Sequence, residues 1–275
     1  MKKIGFIGAG NMGGALITAA CRGNSAQEVL IADCMPQKAQ ALAQKLGCCV
    51  AKSNAEVVRD AQMILLAVVP QVLDEVLQEM APVLAQLHEK GEQRILVSMA
   101  AGVSVASLTQ KLGTAHPILR MMPNTPVAIG KGIILLTTGQ KEPDAAVRDA
   151  VQMFTQTMAA AGTFDCIDES QMEAATVATG CVPAFAYLFL EALADGAVLT
   201  GVSREKALAY CAQAVLGAAS MVLETGQHPG ALKDAVCSPG GSTIVGVAAL
   251  EKGGLRSAAI EAVCGAYDKT VGFGK

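Results

Sequence analysis

Residues 4–16, IGFIGAGNMGGAL, place Gly8, Gly10 and Gly13 at the spacing G-x-G-x-x-G between an apolar run and a helix-forming stretch. The first glycine permits a tight turn. The second lets a pyrophosphate approach the backbone, and the third lets helix and strand touch. The chain then continues through Gly14 as a helix whose free N–H groups and positive dipole end suit phosphate, with Asn11 and Met12 inside the turn. This spacing, at a strand-to-helix junction near the start of the chain, predicts a dinucleotide site.

A second stretch, residues 237–256 (CSPGGSTIVGVAALEKGGLR), has a different chemistry. Ser238, Pro239, Gly240 and Gly241 lead into a helix expected to begin near Ser242 or Thr243. Successive free amides beside hydroxyls make a cradle for an anion such as a carboxylate. Asp33 closes the second apolar run, about 20 residues beyond Gly13, where an acid can accept hydrogen bonds from ribose hydroxyls and repel a 2′-phosphate. Asp33 is also placed to cap the helix that follows it. On this residue the sequence leans towards NAD. No catalytic triad or carboxylate pair stands out, and the nine cysteines and three histidines show no metal-type spacing.

The elements that must position these residues come from the hydrophobic pattern. Apolar runs at 28–33, 63–69, 94–99, 118–121, 133–137 and 163–167 alternate with helical periods through residue 161. Strands apolar on both faces between helices predict a parallel sheet covered on both sides. From Asp168 onwards the signals are helical, with a long apolar helix over 169–199 expected to kink at Pro183. The domains expected are therefore 1–165, an α/β dinucleotide-binding domain with a doubly wound parallel sheet, and 166–275, all helical. In open sheets of this kind ligands lie beyond the carboxyl ends of the strands. That gathers residues 8–13, Ala67, Val68, Val69 and Pro70, residues 98–102, and residues 120–126. There Met121, Met122 and Pro123 could floor a nicotinamide pocket, and Asn124 supplies an amide.

Composition excludes several classes. Of 275 residues 52% are hydrophobic and 16% charged, the net charge is -3, and there is no Trp. Such a chain folds around packed cores and has no general attraction for nucleic acid or an anionic membrane. Residues 1–3 lead directly into a strand instead of a cleavable apolar segment, and residues 174–190, the longest apolar run, contain Gly180 and Pro183. The chain therefore reads as cytoplasmic, with no membrane partner, and its cysteines as free, apolar core residues. Helices as apolar as those beyond residue 168 need more burial than about 110 residues provide, so interlocked subunits are expected.

Across nearly its whole length the sequence resembles the Δ1-pyrroline-5-carboxylate reductase family. The resemblance rests on GFIGAGNMGGAL (5–16), AVVPQ (67–71), SMAAGVS (98–104), RMMPNTP (120–126) and SPGGSTIVGVAALEKGG (238–254). It implies NAD(P)H-dependent reduction of a cyclic imine to L-proline, a Rossmann-type domain, and a helical dimerisation domain that interlocks in a homodimer, in many members a ring of dimers. Carried over by position, Ser238, Gly240, Gly241, Ser242 and Thr243 would hold the substrate carboxylate, with the Thr243 hydroxyl near the ring nitrogen. Asn54 would contact the adenosine ribose, and Ala100, Met121 and Pro123 would line the nicotinamide. Hydride addition to a protonated C=N bond needs no strong enzyme acid, in keeping with the missing triad.

The chain departs from the family at Val69, where AVKPQ is usual, and at residues 179–185, TGCVPAF, where SGSGPAY is usual. Two alternatives stay open on the sequence: a reductase of a piperideine-type imine, and a non-catalytic dinucleotide-binding regulator. A β-hydroxyacid dehydrogenase would need a lysine in the long second-domain helix, and residues 168–199 contain none.

Overall fold

The computed structural model describes residues 1–113 and 115–272; the last three residues of the expected helical domain, 273–275, lie outside it. The chain divides into two compact units, one of residues 1–180 joined by the chain end from Tyr267, the other of residues 181–266.

The first unit is built on an eight-stranded sheet in the order β3-β2-β1-β4-β5-β6-β7-β8. Its strands are β1 (Lys2–Ile7), β2 (Val29–Ala32), β3 (Cys49–Val50), β4 (Ala61–Leu66), β5 (Ile95–Ser98), β6 (Ile118–Pro123), β7 (Gly132–Thr137) and β8 (Gly162–Cys166). Strands β1 to β6 pair in parallel, which makes this a Rossmann-like doubly wound domain with its switch point between β1 and β4. The sheet is not parallel throughout, as the pattern had suggested. Strand β7 runs antiparallel to β6, because only the short 3-10 segment Thr125–Ile129 joins them and a parallel return needs a long crossover. The two-residue β3 was also missed, being too short for a periodic signal.

Helices α1 (Asn11–Gly23), α2 (Pro36–Leu46), α3 (Asn54–Asp60), α4 (Pro70–Glu89), α5 (Val105–Leu112) and α6 (Ala145–Thr157) cover the sheet. One face buries Ile4, Phe6, Leu16, Ile31, Met121 and Phe154. The other buries Ile7, Val57, Leu66, Leu73, Leu96 and Leu108. Central strands are buried on both faces, which is why they read as continuous apolar runs.

Near the start of β5 and β6 the imidazole of His116 is buried: its Nδ1 accepts the Arg94 N–H at 3.2 Å and its Nε2 lies 3.0 Å from the Leu84 carbonyl. Burial, opposed by the Leu84 contact and reinforced by His88 and Arg94, holds its pKa below the ordinary value. The unfolded chain therefore binds a proton that the fold refuses, so stability falls as pH drops below about 6.5 and levels off once the buried ring also protonates. Urea midpoints at pH 7.5 and 5.5 should show that loss, and His116→Gln should shrink it. An unchanged pH difference in the variant would contradict the assignment.

The long apolar helix of the sequence is a continuous helical run in four parts. A 3-10 turn (Glu169–Gln171) and α7 (Met172–Thr176) lead to a π segment (Val177–Cys181) and then α8 (Val182–Leu199). Pro183 has no N–H and crowds the carbonyl four residues earlier, that of Thr179. The Asn124 side chain donates to that carbonyl at 3.0 Å. Residues 166–180 group with the sheet unit, so the two compact units divide at 180/181. Met172 is the anchor, buried with Met122 and Leu135.

The second unit holds α8, α9 (Arg204–Thr225), α10 (Pro229–Ala235), α11 (Ser242–Lys252) and most of α12 (Leu255–Val271). Helices α8 and α9 pack on each other, yet only Ala194 and Ala207 are buried among their described residues. The runs Glu169–Leu199 and Arg204–Thr225 are long and apolar enough, by length and composition, to cross a membrane.

Candidate active site

The glycine turn follows β1 at the carboxyl edge of the sheet. Gly8 sits at φ +103°, and a Cβ there would stand 2.4 Å from the Ala67 carbonyl oxygen. A Cβ on Gly13 would stand 2.5 Å from the Gly8 oxygen, so strand and helix meet through backbone. At Gly10, by contrast, no atom lies within 4 Å of where a Cβ would be, and α1 begins there with no side-chain cap. An open backbone ahead of an uncapped helix fits a dinucleotide pyrophosphate. Asn11 is exposed, while Met12 is half-buried against the core.

The neighbouring expected residues sort by exposure. Ala67 and Val68 are half-buried, and Pro70 is exposed as the first residue of α4. Val69, where the family usually has Lys, is 59% exposed. Asn54 is the first residue of α3 and donates to Glu79 Oε2 at 2.7 Å; Ser53 caps the helix by accepting the Glu56 N–H. Asp33 does not cap α2, whose cap residue Met35 has no side-chain bond. Its carboxylate instead accepts the N–H groups of Ala9 and Met35.

Around the expected nicotinamide end, Ala100 and Met121 are buried in the two opposite cores, and Pro123 is half-buried at the end of β6. The Met121 side chain is fully buried in the core beneath this edge. Asn124 is 7% exposed. Its oxygen accepts the Ile133 N–H at 3.0 Å while its nitrogen donates to Thr179, so the amide is committed within the protein.

Sequence reasoning passed over Arg120. Its buried guanidinium donates to Glu173 at 2.8 Å and to Glu169 at 3.4 Å. Glu169 Oε1 also accepts the Val105 N–H that opens α5, just after residues 98–104. One ion cluster thus ties β6 to the start of α5 and to the segment leading into α7. Arg120 Nε and Thr176 Oγ1 are buried without a partner. No local pattern in sequence announces such a cluster, although a lone Arg inside an apolar strand is a prompt to look for buried carboxylates.

The second constellation lies in the helical unit. Gly241 N–H donates to the Ser238 carbonyl at 3.0 Å, closing a turn that leads into α11. Gly240 takes φ +70°, and a Cβ on Gly241 would stand 2.4 Å from Ser238 Oγ. Helix α11 starts at Ser242 with Gly241 before it and no side-chain cap. Ser242 and Thr243 are exposed at that start. Free amides flanked by the Ser238, Ser242 and Thr243 hydroxyls fit a carboxylate.

Family models match both parts of the chain. A family model for pyrroline-5-carboxylate reductase dimerisation matches residues 169–272, and one for NADP oxidoreductases, coenzyme F420-dependent, matches residues 3–102. The pyrroline-5-carboxylate reductase of Escherichia coli (strain K12) is 38% identical, over 98% of this chain and 97% of that protein. A solved pyrroline-5-carboxylate reductase from Coxiella burnetii is 30% identical at a TM-score of 0.85, covering 100% of this chain and 99% of that one. The Plasmodium falciparum pyrroline carboxylate reductase, solved with NADP bound, is 29% identical at a TM-score of 0.82, covering 100% and 98%.

Proposed function

We propose which residues bind the dinucleotide and orient the imine in this chain, which belongs to the pyrroline-5-carboxylate reductase family, oxidoreductases of proline biosynthesis. It catalyses NAD(P)H-dependent reduction of 1-pyrroline-5-carboxylate to L-proline. The observation that carries the residue assignment is the pair of uncapped, glycine-led helix starts, one at Gly10 and one at Gly241.

Gly8, Gly10, Asn11, Met12 and Gly13 hold the dinucleotide pyrophosphate. Asn54 and Asp33 face the adenosine ribose, with Ala67, Val68, Val69 and Pro70 beside the turn. Ala100, Met121 and Pro123 back the nicotinamide from within the sheet, and Asn124 fixes the loop after β6. The reduced nicotinamide, when bound, supplies a hydride to the imine carbon. Ser238, Gly240, Gly241, Ser242 and Thr243 bind the substrate carboxylate and so orient the ring. The Thr243 hydroxyl hydrogen-bonds the ring nitrogen, where it steadies or relays the proton. No acid of matched pKa is needed, because the imine carries its proton before reduction. Asp33 directs the preference towards NADH.

Purified protein with pyrroline-5-carboxylate and NADH or NADPH, followed at the nicotinamide absorbance, tests these assignments. Oxidation of NADH at the lower KM is expected, and a clear NADPH preference would sink the role given to the Asp33 charge. Thr243→Ala should lower kcat about a hundredfold, in the range of a lost proton-handling group, with little change in dinucleotide KM. The reverse split would remove Thr243 from the catalytic centre.

We further propose a homodimer interlocked through the helical unit, and rings of such dimers. Leu188 on α8, Leu216 and Leu223 on α9 and Ile260 on α12 are exposed in the single chain, an apolar surface that a partner would cover. Sedimentation should give a dimer or a multiple of it; a stable monomer would contradict this. A cytoplasmic location is supported by the nine free thiols, which persist in a reducing compartment.

A further inference from the structure

Asp33 stands where the sequence placed a ribose acceptor, yet both its carboxylate oxygens are engaged before any cofactor is considered. Oδ2 accepts the Ala9 N–H at 2.7 Å, and Oδ1 accepts the Met35 N–H at 2.8 Å. The preceding amide of the turn, Gly8 N–H, donates to the Ala32 carbonyl at 2.8 Å. Two successive amides after β1 are therefore held by two successive groups at the end of β2, the carbonyl of Ala32 and the carboxylate of Asp33. The closed half of the turn ends at Ala9. The open half begins at Gly10, which has no neighbour at its Cβ position and starts an uncapped helix.

We propose that Asp33 is a positioning residue for the dinucleotide, acting through Ala9: its carboxylate locks the closed half of the glycine turn, so that the amides from Gly10 onward stand ready for the pyrophosphate. An amide hydrogen bond to an ionised carboxylate is short and strong, which suits a clamp on a loop. A carboxylate is also the one group of this size with two acceptor oxygens for two N–H donors. In Asn one of those oxygens becomes an NH2, and a donor then faces a donor. This role rests on the dinucleotide site proposed above but not on the preference for NADH.

Asp33→Asn separates the clamp from simple repulsion of a 2′-phosphate. The clamp predicts that the KM for NADH rises about tenfold, while kcat and the imine KM stay within about twofold; tenfold in affinity is about 1.4 kcal/mol. Repulsion alone predicts NADPH gaining and NADH unchanged, and that result would overturn the proposal. Amide hydrogen exchange on the full-length protein gives a readout independent of turnover. In the wild type without cofactor Ala9 should exchange at least tenfold more slowly than Gly10, and in Asp33→Asn that protection should vanish. Should the variant fold poorly, the wild-type comparison still decides: equal exchange at Ala9 and Gly10 refutes the clamp. A wild type that binds neither dinucleotide would instead refute the site, leaving the exchange result to judge the clamp separately.

Discussion

Gly10→Ala is expected to leave the melting temperature within a degree or two of wild type and to raise the dinucleotide KM about a hundredfold. Gly10 takes φ -66° and ψ -170°, a conformation alanine adopts freely. Its Cβ would meet no protein atom within 4 Å, so the fold loses nothing. The methyl would occupy the space through which phosphate reaches the helix start, and a hundredfold loss is about 2.7 kcal/mol. Gly8→Ala is the matched control, with the same chemistry and a different cause. Its Cβ would stand 2.4 Å from the Ala67 carbonyl at φ +103°, so both stability and binding should fall, stability by about 1–3 kcal/mol. Dinucleotide titration beside thermal melts reads both. If Gly10→Ala binds NADH as the wild type does, the pyrophosphate does not lie at this turn.

The second large effect is expected at Arg120. Arg120→Met should lower the stability of the sheet unit by about 3 kcal/mol, because it strands two carboxylates beside a buried strand. The low end of the usual range applies: the Glu169 and Glu173 side chains are 22% and 30% exposed and can be partly rehydrated. Arg120→Lys should recover little, since an ammonium is a point charge and cannot address both carboxylates as a planar fork does. Glu173→Gln keeps an acceptor and should cost about 1 kcal/mol. Urea midpoints rank the three; an Arg120→Met midpoint equal to wild type would show that the cluster carries no net stability. Because Glu169 also holds the Val105 N–H, the loop at 98–104 should loosen in Arg120→Met, visible as faster amide exchange there.

Much of the fold was legible because its signals are local. The strands β1, β2, β4, β5 and β6 are short apolar runs, and α1 announces itself by the glycines before it. The sequence could not show that β7 turns antiparallel, since a strand's own residues read alike in either direction; the short connection at 124–131, built around a five-residue 3-10 segment, decided it. Nor could periodicity show the π segment at Val177–Cys181. Pro183 marked a disturbance there, but the partner that takes the Thr179 carbonyl comes from Asn124, 55 residues earlier.

What the sequence by itself determined is the pair of glycine-led turns that open helices without a side-chain cap, at Gly10 and at Gly241, and the apolar character of the helices beyond residue 168. These depend on residue type at close spacing, where backbone geometry alone dictates the outcome. Tertiary structure decided which side chains are free to act. Asp33 reaches back 24 residues to Ala9, Asn124 is spent on the loop, and Arg120 gathers carboxylates 49 and 53 residues away. Such pairs leave no period in the chain, because they form only when the parallel sheet sets the ends of β1, β2, β5 and β6 along one edge.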